Sequence, residues 1–127
     1  MKERRMDYEA AVQRAKAWCD AWNARDLDAV MDHYAEDVMV CSPLVVQRLC
    51  YADGWLRGKS ALRDYFAVGM GNDALHFEFE DVRLGVDAMV VLYRRESGMR
   101  VSDTVEMNKA GEITRMIACY AGGQARV

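Results

Sequence analysis

The hydrophobic period of this chain changes along its length, and that change limits the folds open to it. Tyr8, Ala11, Val12, Ala15, Trp18, Cys19 and Trp22 recur at helical spacing. The spacing predicts an amphipathic helix over about residues 7–23, its apolar stripe ending in two indoles. Further along, Leu75, Phe77 and Phe79 alternate with His76, Glu78 and Glu80, which is the period of a strand with one buried face. Ser97-Gly98 and Ala110-Gly111 divide the last third into extended segments near residues 87–96, 99–108 and 113–120, an antiparallel meander. Helices first and a sheet afterwards place the chain in the α+β class, with one helical layer over one sheet face.

The middle of the chain is read in the same way. Asp26 is placed to cap a short second helix through Leu27, Val30, Met31 and Tyr34. Residues 38–46 look extended, and Pro43, the only proline, belongs at the end or edge of that strand. Residues 47–54 are pulled two ways, toward a strand by Leu49, Cys50 and Tyr51 and toward a turn by Asp53-Gly54. From Gly58 a helix resumes with Leu62, Tyr65, Phe66 and Gly69 on one side, and Gly69, Gly71 and Asn72 end it.

The chain is 127 residues long, 52% hydrophobic and 29% charged, enough for one ordinary core, so residues 1–127 are expected to form a single domain. A formal net charge of −3 argues against a nucleic-acid partner, which leaves a basic stripe with interleaved aromatics. The basic cluster within residues 1–6 is followed at once by Asp7 and Glu9, and no apolar run has the length of a leader or a membrane span. The cytoplasm is the expected compartment. Cys19, Cys41, Cys50 and Cys119 lack CxxC spacing and read as small buried hydrophobes. His33 and His76 fall on polar faces. No metal site and no cofactor are expected from so few histidines and no clustered thiols.

One residue breaks the pattern of the meander. Val101, Asp103, Val105 and Met107 share a strand face, opposite Ser102, Thr104, Glu106 and Asn108. An ionised carboxylate facing apolar surroundings must find a cation, find hydrogen bonds, take up a proton or sit at a wet mouth. Three of those outcomes mark a pocket, and Asp103 is therefore the candidate catalytic residue.

Three stretches, Trp22-Asn-Ala-Arg-Asp-Leu-Asp-Ala-Val, Tyr34-Ala-Glu-Asp-Val-Met-Val and Arg57-Gly-Lys-Ser-Ala-Leu-Arg-Asp-Tyr-Phe66, resemble the nuclear transport factor 2-like superfamily. The closer similarity is to its SnoaL-like and ketosteroid-isomerase-like branches, and Asn108-Lys-Ala-Gly-Glu-Ile-Thr-Arg at the final hairpin fits as well. The resemblance implies a strongly curved antiparallel sheet wrapped as a cone around the long N-terminal helix. It also implies an apolar pocket inside and homodimers built through the outer sheet face. By the same resemblance Asp103 stands where those isomerases keep an acid that hydrogen-bonds the substrate oxygen, Ser42 where they keep the proton-shuttling carboxylate, and Trp18 where they have a tyrosine. Serine is no base, so a steroid isomerase is not expected. Residues 45–53 read as an insertion at the mouth of the cone. An epoxide-hydrolase-like Asp/Arg/Asp trio is not met, nor is a polyketide-cyclase-like His and Asp within residues 113–120.

Two readings of Asp103 stay open. With a two-residue loop at Ser97-Gly98, Leu92 lies opposite Asp103 and Arg94 is its diagonal neighbour, giving a structural ion pair. Alternatively Asp103 lies deeper, beside Trp18, Met116 and Tyr120, where desolvation would hold it neutral at pH 7. The candidate pocket residues are Trp18, Ser42, Trp55, Phe66, Phe77, Phe79, Leu92, Arg94, Met116 and Tyr120, with Trp22 and Tyr65 among the aromatics that line the pocket or fill a plain core. With Leu92 inward, Met89, Val91 and Tyr93 point outward, as do Ile113 and Ile117, and an apolar outer face predicts a dimer. The expected function is binding of a small apolar, oxygen-bearing molecule, with acid/base isomerisation, cyclisation or dehydration as its chemistry. A non-catalytic binding or dimerising domain is the alternative.

Overall fold

A computed structural model of the chain describes residues 6–121. The N-terminal basic cluster lies outside them. Two helices, α1 (Tyr8–Asn23) and α2 (Leu27–Met31), precede strand β1 (Tyr34–Cys41). Helix α3 (Pro43–Leu49), strand β2 (Trp55–Arg57) and helix α4 (Lys59–Met70) follow, then strands β3 (Glu78–Leu84), β4 (Ala88–Arg94), β5 (Arg100–Met107) and β6 (Ile113–Tyr120). The strands form one curved sheet in the order β2-β1-β6-β5-β4-β3, antiparallel throughout except for β1 beside β6. The α+β class and the meander are as the sequence reading has them. No helix among the described residues is long and apolar enough to cross a membrane.

Side-chain caps start α1 and α2. Asp7 accepts from Ala10 N at 2.8 Å and Asp26 accepts from Ala29 N at 3.1 Å, each satisfying an orphan donor of a first turn. Arg25, with φ 56°, reverses the chain between α1 and α2. At the end of α1 the Asn23 amide binds Phe77 in both directions, donating to its carbonyl at 2.9 Å and accepting from its N–H at 2.8 Å. That clamp holds the irregular residues ahead of β3 against α1, with Leu75 and Phe77 buried although the strand itself begins only at Glu78.

Helix α2 stops at Met31, so Tyr34 opens β1 instead of closing a helix, and its ring is fully buried. The expected strand over residues 38–46 ends at Cys41. Ser42 accepts from Leu44 N at 3.1 Å, and Pro43 occupies a first-turn position of α3. Proline costs a helix nothing there, because the N–H it lacks would have no partner, so the residue read as a strand end is a helix start. The segment read as an insertion is the rest of α3 and its loop to β2, with Cys50 in the left-handed region at φ 58°.

The β4–β5 hairpin differs by one residue from the expected two-residue loop. Gly98 N donates to Arg95 O at 2.9 Å and Arg95 N donates to Met99 O at 2.8 Å, with Gly98 at φ 87°. This is a type I turn followed by a glycine bulge. The added residue pairs Val91 with Asp103 and Tyr93 with Val101. Since side chains alternate, a shift of one exchanges the faces of β4. Met89, Val91 and Tyr93 are therefore buried inside, while Leu92 and Arg94 lie on the outer face. Ile113 is also buried, because the β5–β6 register shifts between Glu106 and Met107, whereas Ile117 is half-exposed.

The core lies between the inner sheet face and α1 and α4. Trp18, Trp22, Phe66, Phe77, Tyr93 and Tyr34 meet there edge-on or tilted, with centroids 4.8 to 6.3 Å apart. Cys19 is buried as expected, but Cys50 and Cys119 are exposed, the first in the α3 cap and the second on the outer face of β6.

Gly98 has space for a methyl group, since nothing lies within 4 Å of a Cβ built there, so the strain of Gly98→Ala is conformational. Denaturant unfolding is expected to show a loss of about 1–2 kcal/mol for Gly98→Ala, and a smaller loss for Gly98→Asn, which tolerates the left-handed region better.

Candidate functional site

The inner sheet face, α1, α3 and α4 line a partly open cavity of about 60 Å³. At 10–15 Å³ for each water-sized position, it takes about four to six such positions. Asp103 lies on its wall, 2% exposed, brought there by the alternation of β5 and flanked across the ladder by Val91 and Ala118. Its Oδ2 accepts a hydrogen bond from the Tyr93 hydroxyl at 3.1 Å. Its Oδ1 has no partner. Burial pushes the carboxyl pKa up to about 7, against the smaller opposing effects of the Tyr93 hydrogen bond and the Arg95 charge. The phenol of Tyr93 is raised well above its ordinary value by burial and by Asp103, so it stays a donor.

Arg94 is not the partner of Asp103. It reaches Glu80 at 3.2 Å on the outer face, because the glycine bulge turned β4 over. The guanidinium on the cavity side is that of Arg95, which lies 5.1 Å from the Phe77 ring centroid and binds Glu96 at 3.3 and 3.4 Å. Burial lowers the Arg95 pKa, but Tyr120, Glu96 and Tyr93 together raise it further, so its charge is secure.

Of the residues expected at the pocket, Trp18, Ser42, Phe66, Phe77, Met116 and Tyr120 line this cavity with Asp103. Trp55, Phe79, Leu92 and Arg94 do not. Trp55 lies on β2 under the Arg115 guanidinium, 5.0 Å from its centroid, and Phe79 packs at β3 with Lys16 above it. The indole N–H of Trp18 is not available to a ligand, since it donates to the Tyr34 hydroxyl at 3.0 Å. Ser42 stands on the wall with Tyr65 and Tyr120, and its oxygen caps α3.

Sequence reasoning missed Tyr93 and Arg95, which the wrong hairpin register turned away, and Arg48, which the helix over residues 43–49 carries to the cavity. Trp22 and Tyr65 were read as aromatics that line the pocket or fill the core, without a polar role. Their polar atoms separate them from the rest. Among the described residues four buried side-chain polar atoms lack a hydrogen-bond partner, and three of them, Trp22 Nε1, Tyr65 OH and Asp103 Oδ1, belong to residues of this one wall. Each such group costs about 1–3 kcal/mol when it stays unsatisfied, so three around one small cavity need a cause.

A second cavity of about 20 Å³, the size of one water, lies on the other side of Asp103 beside Arg14 and His33. His33 is thus half-buried and not on a purely polar face, with its pKa lowered by burial and by Arg14. A larger groove of about 570 Å³ runs between the start of α1 and the turns that carry Gly85 and Gly111. It holds none of the buried unpartnered atoms. No group of three His, Cys, Asp or Glu side chains among the described residues is placed to hold a metal ion.

The sequence pattern of the SnoaL-like domain matches residues 15–121. A SnoaL-like protein of unknown function from Burkholderia thailandensis E264 has a solved structure similar to this one, with 34% identity and a TM-score of 0.85, over 88% of this chain and 94% of that one. A protein of unknown function with a cystatin-like fold from Methylobium petroleophilum PM1 is 16% identical, with a TM-score of 0.71 over 91% of this chain and 78% of that one. An NTF2-like protein of unknown function from Cytophaga hutchinsonii ATCC 33406 is 12% identical, with a TM-score of 0.67 over 94% of each chain. The last two share the fold alone. No curated protein matches.

The raised pKa of Asp103 carries a stability signature. Its unfolded pKa is near 3.9, so between about pH 4 and pH 7 the unfolded chain ionises while the fold keeps the proton, and stability falls as pH rises through that window. With a folded value of about 7 the loss is on the order of 4 kcal/mol by pH 8. Thermal unfolding of Asp103→Asn is expected to lack this component, and identical wild-type and variant profiles from pH 4.5 to 8 would refute it. Tyr93→Phe removes a hydrogen bond that lowers the pKa, so carbon-13 NMR is expected to place the Asp103 carboxyl above 7 in that variant.

Proposed function

This chain belongs to the SnoaL-like family of the NTF2-like superfamily, and from that premise we propose that its cavity binds a small oxygen-bearing molecule on which Asp103 acts as an acid/base group. The observation that carries the reading is the state of one carboxyl: buried, oriented by Tyr93 through one oxygen, and unpartnered at the other.

A carboxyl with a pKa of about 7 is present in both forms at neutral pH. As the neutral acid its free oxygen donates to a carbonyl or a developing enolate; as the carboxylate it accepts a proton from carbon. Matching of pKa to working pH is what efficient proton transfer requires, and general acid/base groups so placed contribute about 10² to 10⁴ in rate. Tyr93 positions the carboxyl and does not itself face the task, since its O–H is occupied. The chemistry this supports is isomerisation, cyclisation or dehydration next to a carbonyl. The steroid-isomerase arrangement is not reproduced: Ser42 supplies no carboxylate and caps α3, and the Trp18 donor is taken by Tyr34.

Binding without turnover is the second reading, favoured by Asp103 being the only carboxyl on the cavity wall among the described residues. The two readings separate in one assay. Deuterium exchange next to the carbonyl of 2-pentanone, followed by proton NMR, is expected to be accelerated by the wild type with an apparent pKa near 7. Asp103→Asn is expected to lose about 10²-fold or more of that rate. Binding of the ketone without exchange would leave a binding domain, and absence of both would refute the site.

The outer face keeps apolar side chains, Ile117 as read from sequence and Val90 and Leu92 in place of Met89, Val91 and Tyr93, all three half-buried, with Thr104 between Val90 and Ile117. We propose that two copies pair through it. Light scattering is expected to give a dimer that Leu92→Glu converts to monomer, and a wild-type monomer would remove the proposal.

A further inference from the structure

Building on the small-molecule reading of the same cavity, we infer that its ligand is a short organic acid, with the carboxylate held by Arg48, Tyr65 and Trp22 and a second oxygen at Asp103. The cavity has two chemically distinct ends. On the sheet side stand Asp103 and Tyr93. On the helix side stand the donors of α1, α3 and α4.

The helix-side group is drawn together around Gly69. A Cβ built on that glycine would lie 3.7 Å from the Trp22 ring and 3.8 Å from Arg48 Nη1, so the indole of α1 and the guanidinium of α3 meet over one point of α4. Tyr65 lies one turn earlier on α4, on the same face as Gly69, and its hydroxyl feels the Arg48 charge. Trp22 is 5% exposed with its N–H unpartnered, and the Tyr65 hydroxyl is likewise buried without a partner.

Donors outnumber acceptors at this end. An indole N–H and a guanidinium only donate, and a phenol above its ordinary pKa donates as well. What satisfies such a set is a group made of acceptors, and an ionised carboxylate offers about four lone-pair sites. Charge points the same way. Arg95, the other guanidinium on the wall, is offset by Glu96, whereas Arg48 makes no ion pair with any described residue. A chain with a formal charge of −3 thus presents at the cavity a guanidinium that no carboxylate of the described residues pairs. Hydrogen bonds between Arg and a carboxylate are roughly twice as strong as neutral ones, which suits a ligand too small to be held by apolar area.

Size narrows the class. About 60 Å³ admits roughly four to six heavy atoms between the two ends, by the volume of a water-sized position. That is the length of a short oxo-carboxylate and far below a fused-ring compound.

Pyruvate, a three-carbon oxo-carboxylate, and its uncharged amide serve as probes in nitrogen-15 NMR titrations of the full chain. Wild type is expected to bind the acid at least tenfold more tightly than the amide, with the acid alone weakened by added salt. Arg48→Gln is expected to abolish that preference, and Arg48→Lys to restore part of it. Asp103→Asn is expected to weaken acid and amide alike. Equal affinities in the wild type, or a preference that survives Arg48→Gln, would overturn the inference while Asp103-dependent binding of both probes left the proposed function standing. No binding of either probe would overturn both.

Discussion

Everything at the cavity depends on the glycine bulge that ends the β4–β5 turn. One residue at a hairpin decides which half of β4 is turned inward, because the faces of a strand alternate. With Gly98 in its left-handed conformation, β4 offers Met89, Val91 and Tyr93 to the helices and sends Leu92 and Arg94 away. A two-residue turn would put a guanidinium beside Asp103 and make it an ordinary ion pair. The observed turn puts a phenol there instead. A neutral hydrogen-bond partner orients the carboxyl without supplying the charge that would keep it ionised, and burial then dominates its titration.

The helical side contributes by a similar economy of partners. Trp18 spends its N–H on Tyr34, whose hydroxyl in turn points at the Met116 sulfur, 3.8 Å away, so this buried chain is internally satisfied and rigid. One turn later Trp22, on the same helix and in the same aromatic cluster, has no such partner. The contrast between two neighbouring indoles is what marks one as structural and the other as available. Asn23 adds the frame, since its two hydrogen bonds to Phe77 tie the end of α1 to the segment that leads into β3.

Much of this was legible in the sequence. The period of the apolar residues placed α1, α4 and the meander, and the isolated acid among Val101 and Val105 singled out Asp103 while leaving open a rim ion pair and a buried neutral acid. What period cannot resolve is phase across a turn. Ser97-Gly98 announces a hairpin, but a two-residue loop and a type I turn with a bulge share that signal and differ in every cross-strand neighbour. Pro43 misled for a related reason: proline disfavours both a strand interior and a helix interior, and only the serine before it, read as a cap, distinguishes a helix start. The polar role of Trp22 and Tyr65 left no trace in the pattern, since an aromatic on an apolar stripe looks the same whether or not its N–H or O–H is matched.

The parallel contact of β1 with β6 joins Val40 to Met116, two positions far apart along the chain. Loops of that span close slowly, whereas hairpins and helices close early. The hairpins of β3 to β6 close through local contacts, whereas α1, and β1 with Ser42 and α3 behind it, reach the sheet across the length of the chain. Arg48 travels on α3. A ligand that bridges the acid end and the cationic end of the cavity would therefore favour the closed topology by mass action, tying α3 and β1 to the rest of the sheet.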